Sequence, residues 1–205
     1  MSDSWLWTQW SRIAGESAVS REVWTDLVAR WSEPQRTYHD LSHLMFMLRF
    51  MDDYGPVDDA TAYAAWLHDA VYDPTSQTNE ADSAALAEPI LTALDRGELT
   101  DRVRELVLLT ATHEAPDDDP QAALLLDADL AILGQDPQIY LRYVEAVRRE
   151  YAHVSDEDFL RGRSEILRGF ADRERLYLLD VVHGVLDEPA RRNIAAELAV
   201  YDARD

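Results

Sequence analysis

The sequence predicts an all-α protein, with a single helical domain over residues 1–205. Apolar residues recur at helical spacing along most of the chain, and no stretch alternates between apolar and polar residues over more than a few positions. A length of 205 residues with 47% apolar residues suits one domain that buries a sizeable core. We therefore expect a helical bundle without a β-sheet.

Three helices are predicted before Gly55-Pro56. The first carries three tryptophans that we expect to pack on the core: Trp5, Trp7 and Trp10. The second has Ser20 as its predicted N-cap and an apolar stripe at helical spacing: Trp24, Leu27, Val28 and Trp31. The third carries a similar stripe: Leu41, Leu44, Met45, Leu48 and Met51.

Two further helices are predicted between residues 63 and 94. The first is apolar nearly all round, from Tyr63 to Val71, which is typical of a helix at the centre of a domain. Pro74 ends this helix, because proline cannot continue the backbone hydrogen-bond pattern. Asn79 can cap the helix that follows.

The second half of the chain is predicted to form six helices, with an exposed acidic loop over residues 115–120. Pro137 and Ser155 are expected to open two of them, because proline suits the first helical position and serine suits the N-cap. The predicted ranges are 100–112, 121–133, 137–151, 155–172, 174–186 and 189–203.

Composition and charge exclude several kinds of function. The chain has no cysteine, which excludes disulfides, thiolate nucleophiles and zinc–thiolate sites. Its formal net charge of −21, from 19 basic and 40 acidic residues, would repel a nucleic-acid polymer, so none is expected as a partner. A phosphorylated substrate would need a local positive site, made by a metal ion and a few arginines. The chain starts without the basic region of a signal peptide and contains no apolar run of membrane-spanning length, so we expect a cytoplasmic protein without a membrane partner.

Two metal-capable side chains, His68 and Asp69, stand side by side in the otherwise apolar segment 65–73. Burial of an unpaired carboxylate is costly, and a divalent metal ion would be a partner for both side chains. His43 lies upstream of this pair and Asp129 lies downstream, which gives the order His, His-Asp, Asp. Asp127 is the alternative to Asp129 as the last member of the set.

This order resembles that of the HD-domain superfamily of metal-dependent phosphohydrolases, and in particular its small bacterial members with predicted phosphohydrolase activity. The resemblance runs from about residue 36 to about residue 177. The similar segments are RTYHDLSH (36–43), LHDAVYDP (67–74), NEADSA (79–84), ATH (111–113), LDADLAILG (126–134), RREY (148–151) and GR (162–163). The resemblance implies an HD-domain helical bundle.

The resemblance also implies one divalent metal ion bound by four side chains: His43, His68, Asp69 and Asp129. Two imidazoles and two carboxylates suit manganese, iron, cobalt, nickel, zinc or magnesium and do not select among them. Members of the superfamily with two metal ions often carry further histidines beside the His-Asp step, where this chain has Tyr72 and Asp73. This difference favours one ion, or a weak second ion held by Asp73.

His39 is the candidate general acid. The segment Tyr38-His39-Asp40-x-x-His43 is similar to a motif of cyclic-nucleotide phosphodiesterases, in which the first histidine is the general acid and the second binds metal. Imidazole titrates near neutrality and can protonate a leaving alkoxide. The two histidines are four residues apart, so we expect them on one side of the start of a helix. The alternative is that His39 caps or packs this helix.

The remaining candidates are residues for the attacking water and for the substrate. Asp73 and Glu80 are candidates to orient the water, although Glu80 can instead stabilise the first turn of a helix. Four residues in the similar segments are candidates to contact the substrate phosphate: Arg36, His113, Arg148 and Arg163. The alternative is a cation at a helix C-terminus for the histidine and an ion pair for each arginine.

Together these features predict a metal-dependent phosphohydrolase that acts on a small phosphorylated substrate, a nucleotide or related metabolite, through metal-activated attack of water on phosphorus. Two other functions stay open. One is a non-catalytic metal-binding regulatory protein of the same fold, and the other is an iron-dependent oxygenase or lyase. A homodimer is one option for the oligomeric state.

Overall fold

The protein is described here by a computed structural model of residues 2–203, with side chains from Ser4 onwards. The α-helices are α1 (Ser2–Ala14), α2 (Ala18–Trp31), α3 (Leu41–Tyr54), α4 (Asp59–Leu67), α5 (Asn79–Ala85), α6 (Ala87–Ala93), α7 (Thr100–Leu109), α8 (Pro120–Leu130), α9 (Pro137–Glu150), α10 (Asp156–Ala171) and α11 (Asp180–Asp202). Short 3₁₀ helices cover Gly97–Leu99 and Ala131–Gly134. Residues 2–203 contain no β-strand, so the predicted all-α fold is confirmed.

Helix α4 lies at the centre of the hydrophobic core, as predicted. Nearly every residue from Ala60 to Leu67 is buried, and the helix contacts α1, α3, α7 and α8. The ring of Trp66 meets that of Trp10 edge to face, with 5.2 Å between the centroids. Full burial of one large apolar side chain contributes roughly 1.5–3 kcal/mol, so this packing fixes α4 firmly. The end of α4, and with it His68, is thereby held in the interior.

The predicted extent of α4 was too long. The helix ends at Leu67, and Asp69 lies in the turn that follows it rather than inside a helix that runs to Val71. The turn is closed by a hydrogen bond from the backbone N–H of Ala70 to the carbonyl oxygen of Leu67. Apolar residues continue past the helix end because the turn is buried as well, and composition alone does not separate the two.

Helix α3 supplies His43 from its first turn. The side chain of Asp40 caps this helix, accepting hydrogen bonds from the backbone N–H groups of Ser42 (2.7 Å) and His43 (3.4 Å). His39 directly precedes the cap, so only His43 of the two histidines belongs to the helix, although their rings lie on the same side with 5.8 Å between the centroids. His39 lies in the connection between α2 and α3.

Three other expectations at helix starts have mixed outcomes. Pro137 is the first residue of α9, and Ser155 caps α10 by accepting from the N–H of Asp158 at 3.1 Å, both as predicted. The N-cap of α2 is Ser17 and not Ser20. Ser20 is buried, and its hydroxyl accepts from the indole N–H of Trp10 at 3.0 Å, which explains a serine within the helix.

The predicted pair of helices at residues 174–186 and 189–203 is a single helix, α11, with Pro189 inside it. Proline removes one backbone hydrogen bond and ordinarily ends or kinks a helix. Here Ala190 and Ile194 are fully buried directly after the proline, and α11 contacts both α10 and Ala131–Gly134. Packing on both sides therefore outweighs the local cost of the proline.

Two more findings complete the fold. Trp10 is fully buried, and Trp5 and Trp7 pack against the core, as expected for the first helix. No helix between residues 2 and 203 has both the length and the apolar content needed to cross a membrane.

Candidate metal centre and adjoining cavity

His43, His68 and Asp69 form a buried group that can hold a metal ion, because one donor atom from each lies within 4.8 Å of the others. The Nε2 atoms of His43 and His68 are 3.3 Å apart, and His68 Nε2 lies 3.3 Å from Asp69 Oδ2. Asp129, near the end of α8, adds a fourth donor. Its Oδ1 lies 3.2 Å from His43 Nε2 and 3.8 Å from His68 Nε2. Three elements and one turn thus bring together all four predicted ligands.

The geometry of His43, His68 and Asp69 suits a metal ion, with Asp129 beside them. Bonds of about 2.1 Å place neighbouring ligands roughly 3.0–3.4 Å apart in tetrahedral or octahedral arrangements. The separations of 3.2–3.3 Å agree with this, whereas the 3.8 Å between His68 Nε2 and Asp129 Oδ1 is longer. The Nδ1–H of His68 donates to the carbonyl oxygen of Ala65 at 3.0 Å, so Nε2 is the nitrogen that would bind a metal ion in place of its proton. His43 Nδ1 is buried and has no hydrogen-bond partner among the described residues. We name this group the metal cluster: His43, His68, Asp69 and Asp129.

The charges of the carboxylates in the metal cluster favour the binding of a cation. Burial opposes ionisation of Asp69, yet the neighbouring His68 lowers the pKa of the Asp69 carboxyl group to about 2. Burial also opposes protonation of His68, but Asp69 and then Asp129 raise the pKa of its imidazole to about 9. Hydrogen bonds from His113 and His43 outweigh burial and hold the pKa of Asp129 well below its usual value. Both carboxylates are therefore charged at neutral pH and attract positive charge to the point between them.

His113 positions Asp129. Its Nε2 lies 3.0 Å from Asp129 Oδ2, so the two oxygens of this carboxylate face different histidines. His113 has a positive φ of 53°, a conformation that a non-glycine residue adopts only when its surroundings hold it. Arg173 supplies that support, because its guanidinium donates to the carbonyl oxygens of His113 (2.9 Å) and Thr112 (2.7 Å). The predicted helix over 100–112 ends earlier, at Leu109.

His39 is bound tightly to Glu150, a residue to which the sequence assigned no role. Glu150 Oε1 accepts from three successive backbone N–H groups, those of Thr37 (2.7 Å), Tyr38 (2.7 Å) and His39 (2.9 Å). Its Oε2 lies 2.7 Å from His39 Nδ1 and 3.0 Å from the hydroxyl of Tyr72. The carboxylate therefore fixes both the backbone and the ring of His39, and leaves Nε2 as the nitrogen able to exchange a proton.

The contact between Glu150 and His39 also sets the charge of both side chains. Burial would raise the pKa of Glu150, but the hydrogen bond from His39 and those from the backbone lower it to about 2. Burial would lower the pKa of His39, but the hydrogen bond to Glu150 and the charge of Asp69 raise it above its usual value of 6.5. His39 is thus favoured in its protonated form, which a general acid requires.

A cavity of about 520 Å³ adjoins the metal cluster, and we name it the site cavity. Its walls include His39, Asp69, His113 and Asp129, together with six aromatic side chains: Tyr38, Tyr72, Tyr143, Tyr151, Phe159 and Phe170. A larger, mostly apolar groove of about 680 Å³ lies between α9, α10 and α11, but no residue of the metal cluster lines it. The site cavity is therefore the place where a ligand can meet both the metal cluster and His39.

Glu80 and Arg163 also line the site cavity. Within the described part of the chain, the Glu80 side chain has no hydrogen bond or ion pair, so its carboxylate is available to a ligand. Arg163 is mostly buried and is held by Glu197, with 3.0 Å from Nε to Oε1 and 3.3 Å from Nη2 to Oε2. Its Nη1 donates to the hydroxyl of Tyr143 at 2.8 Å.

Three predicted site residues lie away from the site cavity. The Arg36 side chain is fully buried and donates to the carbonyl oxygens of His39 (2.9 Å) and Asp69 (2.8 Å). Arg36 thereby links the connection that carries His39 to the turn that carries Asp69. The predicted contact of Arg36 with a substrate phosphate is therefore wrong, because its guanidinium binds the backbone instead. Arg148 donates to the carbonyl oxygens of Tyr151 and Val154, so it stabilises the turn after α9 instead.

Asp73 lies in the exposed connection that leads from α4 to α5, and its carboxylate accepts from the backbone N–H (2.8 Å) and hydroxyl (2.7 Å) of Thr75. The structure therefore does not bring it to the site cavity. Asn79 is the first residue of α5 and not its cap, and its side chain bonds to the backbone of Asp73 at 3.0 and 2.9 Å.

The structure excludes Asp127 as the alternative to Asp129 in the metal cluster. Its two carboxylate oxygens accept from the backbone N–H groups of Leu178 (2.7 Å) and Leu179 (2.9 Å), just before α11. Burial raises the pKa of its carboxyl group to about 6 despite these hydrogen bonds. Asp127 therefore anchors α11 to α8, whereas Asp129 faces the histidines.

Comparison of the chain with protein-family models, with curated proteins and with solved structures finds no match.

Proposed function

We propose that this chain is a metal-dependent phosphohydrolase that acts on a small phosphorylated substrate. One observation carries the proposal: the donor atoms of the metal cluster converge beside a cavity that also contains His39. The resemblance of the sequence to the HD-domain superfamily supports the same assignment. A phosphoryl group bound in the site cavity would meet a Lewis acid and a proton donor together.

The metal cluster would hold one divalent ion through its two imidazoles and two carboxylates. Such an ion lowers the pKa of water and polarises a phosphoryl oxygen, which activates phosphorus towards attack. This set of ligands suits manganese, iron, cobalt, nickel, zinc or magnesium. His113 and Arg173 keep the Asp129 carboxylate in place, and residues that orient a ligand in this way are often needed for full metal affinity.

His39 donates the proton that the leaving group requires. Its Nδ1 is bound to Glu150, so the transferable proton resides on Nε2 and passes to the oxygen released from phosphorus. Of the two carboxylates predicted to act on the attacking water, Glu80 lines the site cavity and Asp73 does not. We therefore assign Glu80 to orient the water and accept its proton.

A non-catalytic metal-binding protein of the same fold is the second candidate. One observation favours it, because Arg163 lies in the site cavity but is paired with Glu197, while Arg36 and Arg148 bind backbone carbonyls. Phosphate-binding enzymes usually present an unpaired basic side chain to their substrate. The two candidates differ in whether a metal-loaded protein turns over any phosphate ester.

Turnover by His39→Ala protein separates the candidates. We expect the native chain, supplied with each divalent metal in turn, to hydrolyse a phenyl phosphate or nucleotide in a phosphatase panel. The His39→Ala variant should bind the same amount of metal and lose activity by roughly 10²–10⁴-fold, the usual contribution of a general acid.

His153→Ala is the matched control, because His153 is exposed and lies outside the site cavity. Its activity should equal that of the native chain. A metal-loaded native protein that hydrolyses no ester in the panel would favour the non-catalytic candidate.

A further inference from the structure

The walls of the site cavity are apolar and aromatic beyond the metal cluster. Besides the six aromatic rings named above, aliphatic side chains contribute to them: Leu130, Ile132, Leu133, Val147, Val154 and Ile166. A volume of about 520 Å³ is within the range of pockets that enclose a whole small molecule. The part of a substrate that extends away from its phosphate would therefore lie against rings and methyl groups.

The site cavity offers little positive charge to a second anionic group. All 19 basic residues of the chain are arginines, and Arg163 is the only one of them among the described residues that line the cavity. Against it stands Glu80, in addition to the carboxylates of the metal cluster, whereas Asp158 also lines the cavity but is paired with Arg161. An anion bound against the walls of the site cavity would therefore lie near more carboxylates than cationic side chains.

The charge of Arg163 is already neutralised. Glu197 faces the guanidinium with both carboxylate oxygens, and Tyr143 accepts a further hydrogen bond from it. Glu197 is itself fixed by the hydroxyl groups of Tyr140 and Tyr201. This network leaves Arg163 no free charge for a ligand, because a bidentate ion pair inside the protein is costly to open.

The remaining positive charges are balanced in the same way. A divalent ion would be neutralised by Asp69 and Asp129, which hold it, and protonated His39 is neutralised by Glu150. One phosphoryl group can still be bound, because it would contact the ion and His39 directly. A second anionic group on the same substrate would lie against these walls without a free counter-charge, which disfavours its binding.

We propose that the site cavity takes phosphate monoesters whose body is apolar or aromatic and either uncharged or cationic, and that it rejects esters with a second anionic group. Carboxylated esters, diphosphates and triphosphates belong to the rejected class. This inference rests on the proposed function, because it assumes that the phosphoryl group lies at the metal cluster.

Binding of three benzylphosphonates tests the proposal without any turnover, since their carbon–phosphorus bond is not hydrolysed. The three ligands carry a carboxylate, a hydroxymethyl or an aminomethyl group opposite the phosphonate and otherwise have the same shape. Isothermal titration of the manganese-loaded full chain should show the last two binding at least about tenfold tighter than the carboxylate. Equal or tighter binding of the carboxylate, or no binding of any of the three, would overturn the proposal.

The Glu197→Gln variant tests whether the ion pair between Arg163 and Glu197 causes the rejection of a second anionic group. The amide keeps the size of the side chain but frees the charge of Arg163, so binding of the carboxylate ligand should improve about tenfold relative to the aminomethyl ligand. Glu188→Gln is the matched control, because Glu188 lies on the same helix, is exposed and pairs with Arg192 outside the cavity. An unchanged preference in folded Glu197→Gln protein would contradict the role of the Arg163 pair.

A second variant tests the charge preference of the site cavity without a change in the core. Ile166 lines the site cavity and is 55% exposed, so Ile166→Arg adds a cation there with little cost to folding. It should improve binding of the carboxylate ligand, whereas Leu108→Arg, at a 45% exposed residue outside the cavity, should not. An equal effect of both arginines would show that net charge and not the cavity sets the preference.

An assay of phenyl phosphate hydrolysis by the same preparations distinguishes failure of the proposed phosphohydrolase function from failure of the proposed cavity preference. Charge-selective binding without hydrolysis would support the cavity preference and contradict the phosphohydrolase. Hydrolysis with no preference among the three phosphonates would support the phosphohydrolase and overturn the cavity preference.

Discussion

At the scale of the residue, His39 and Glu150 depend on each other although 111 positions separate them. Glu150 orients the ring of His39 and raises its pKa, and His39 in turn lowers the pKa of Glu150 to about 2. Because this value lies below the usual 4.5 of a glutamate, the charged carboxylate stabilises the fold above pH 4.5. That contribution is lost as the pH falls from 4.5 towards 2.

Glu150→Gln should change the pH dependence of hydrolysis. A general acid works while it is protonated, so activity falls as the pH rises through the pKa of His39. Without the carboxylate that pKa drops, and the alkaline limb of the pH–rate profile should move to lower pH. The measurement is the profile of kcat together with the NMR titration of the His39 ring. Tyr72→Phe, which removes only a hydrogen bond to the same carboxylate, should move the limb less. An unmoved alkaline limb in Glu150→Gln would contradict the role given to this pair.

The sequence identifies the chemistry of single residues better than their partners. The order of residue types and the resemblance it carries predicted four metal ligands, and the structure brings three of them, His43, His68 and Asp69, into one buried group that could hold a metal ion. The partners Glu150, Glu197 and Arg173 were not predicted, since each contacts its target across a long stretch of chain. Their only signal was the presence of Glu150 in the segment RREY.

At the scale of the element, the 3₁₀ helix Ala131–Gly134 connects the metal cluster with the C-terminal helix. A Cβ added at Gly134 would lie 2.8 Å from the Leu186 Cβ and 2.9 Å from the Leu186 carbonyl oxygen, both in α11. The glycine therefore allows α11 to approach the end of α8, where Asp129 lies.

Gly134→Ala should destabilise the protein by about 1–3 kcal/mol, the usual cost of overpacking a filled interior. Gly169→Ala is the matched control, because Gly169 lies inside α10 and a Cβ there would meet no atom within 4 Å. Alanine should stabilise that helix by roughly 0.5–1 kcal/mol. Urea unfolding of both variants measures these changes, and equal stabilities would contradict the described packing of α11.

The elements were predictable where a local signal decides them. Pro137 and Ser155 mark true helix starts because their preferences act within one turn. Pro189 marks no boundary because tertiary packing on Ala190 and Ile194 outweighs the local preference of proline. The end of α4 was misplaced for a related reason, since buried turns and buried helices share the same apolar composition.

At the scale of the whole molecule, the net charge of −21 opposes the compact state. Salt screens repulsion between exposed charges, with a screening length that shortens from about 30 Å at 0.01 M to about 10 Å at 0.1 M. Sodium chloride should therefore raise the melting temperature of the metal-free chain. A gain of about 1 kcal/mol corresponds to roughly 2–4 °C for a protein of this size. Calorimetry in increasing salt checks this, and a melting temperature that falls would show that attractive ion pairs dominate instead.

The central claim is that the metal cluster binds a metal ion, and elemental analysis tests it most directly. The purified native chain should contain about one equivalent of a divalent metal, alone or after incubation with manganese, iron or zinc salts. The His68→Ala/Asp69→Ala variant should lose this metal, and His153→Ala should keep it. Absence of metal from the native chain after all three incubations, or full retention by the double variant, would contradict the account.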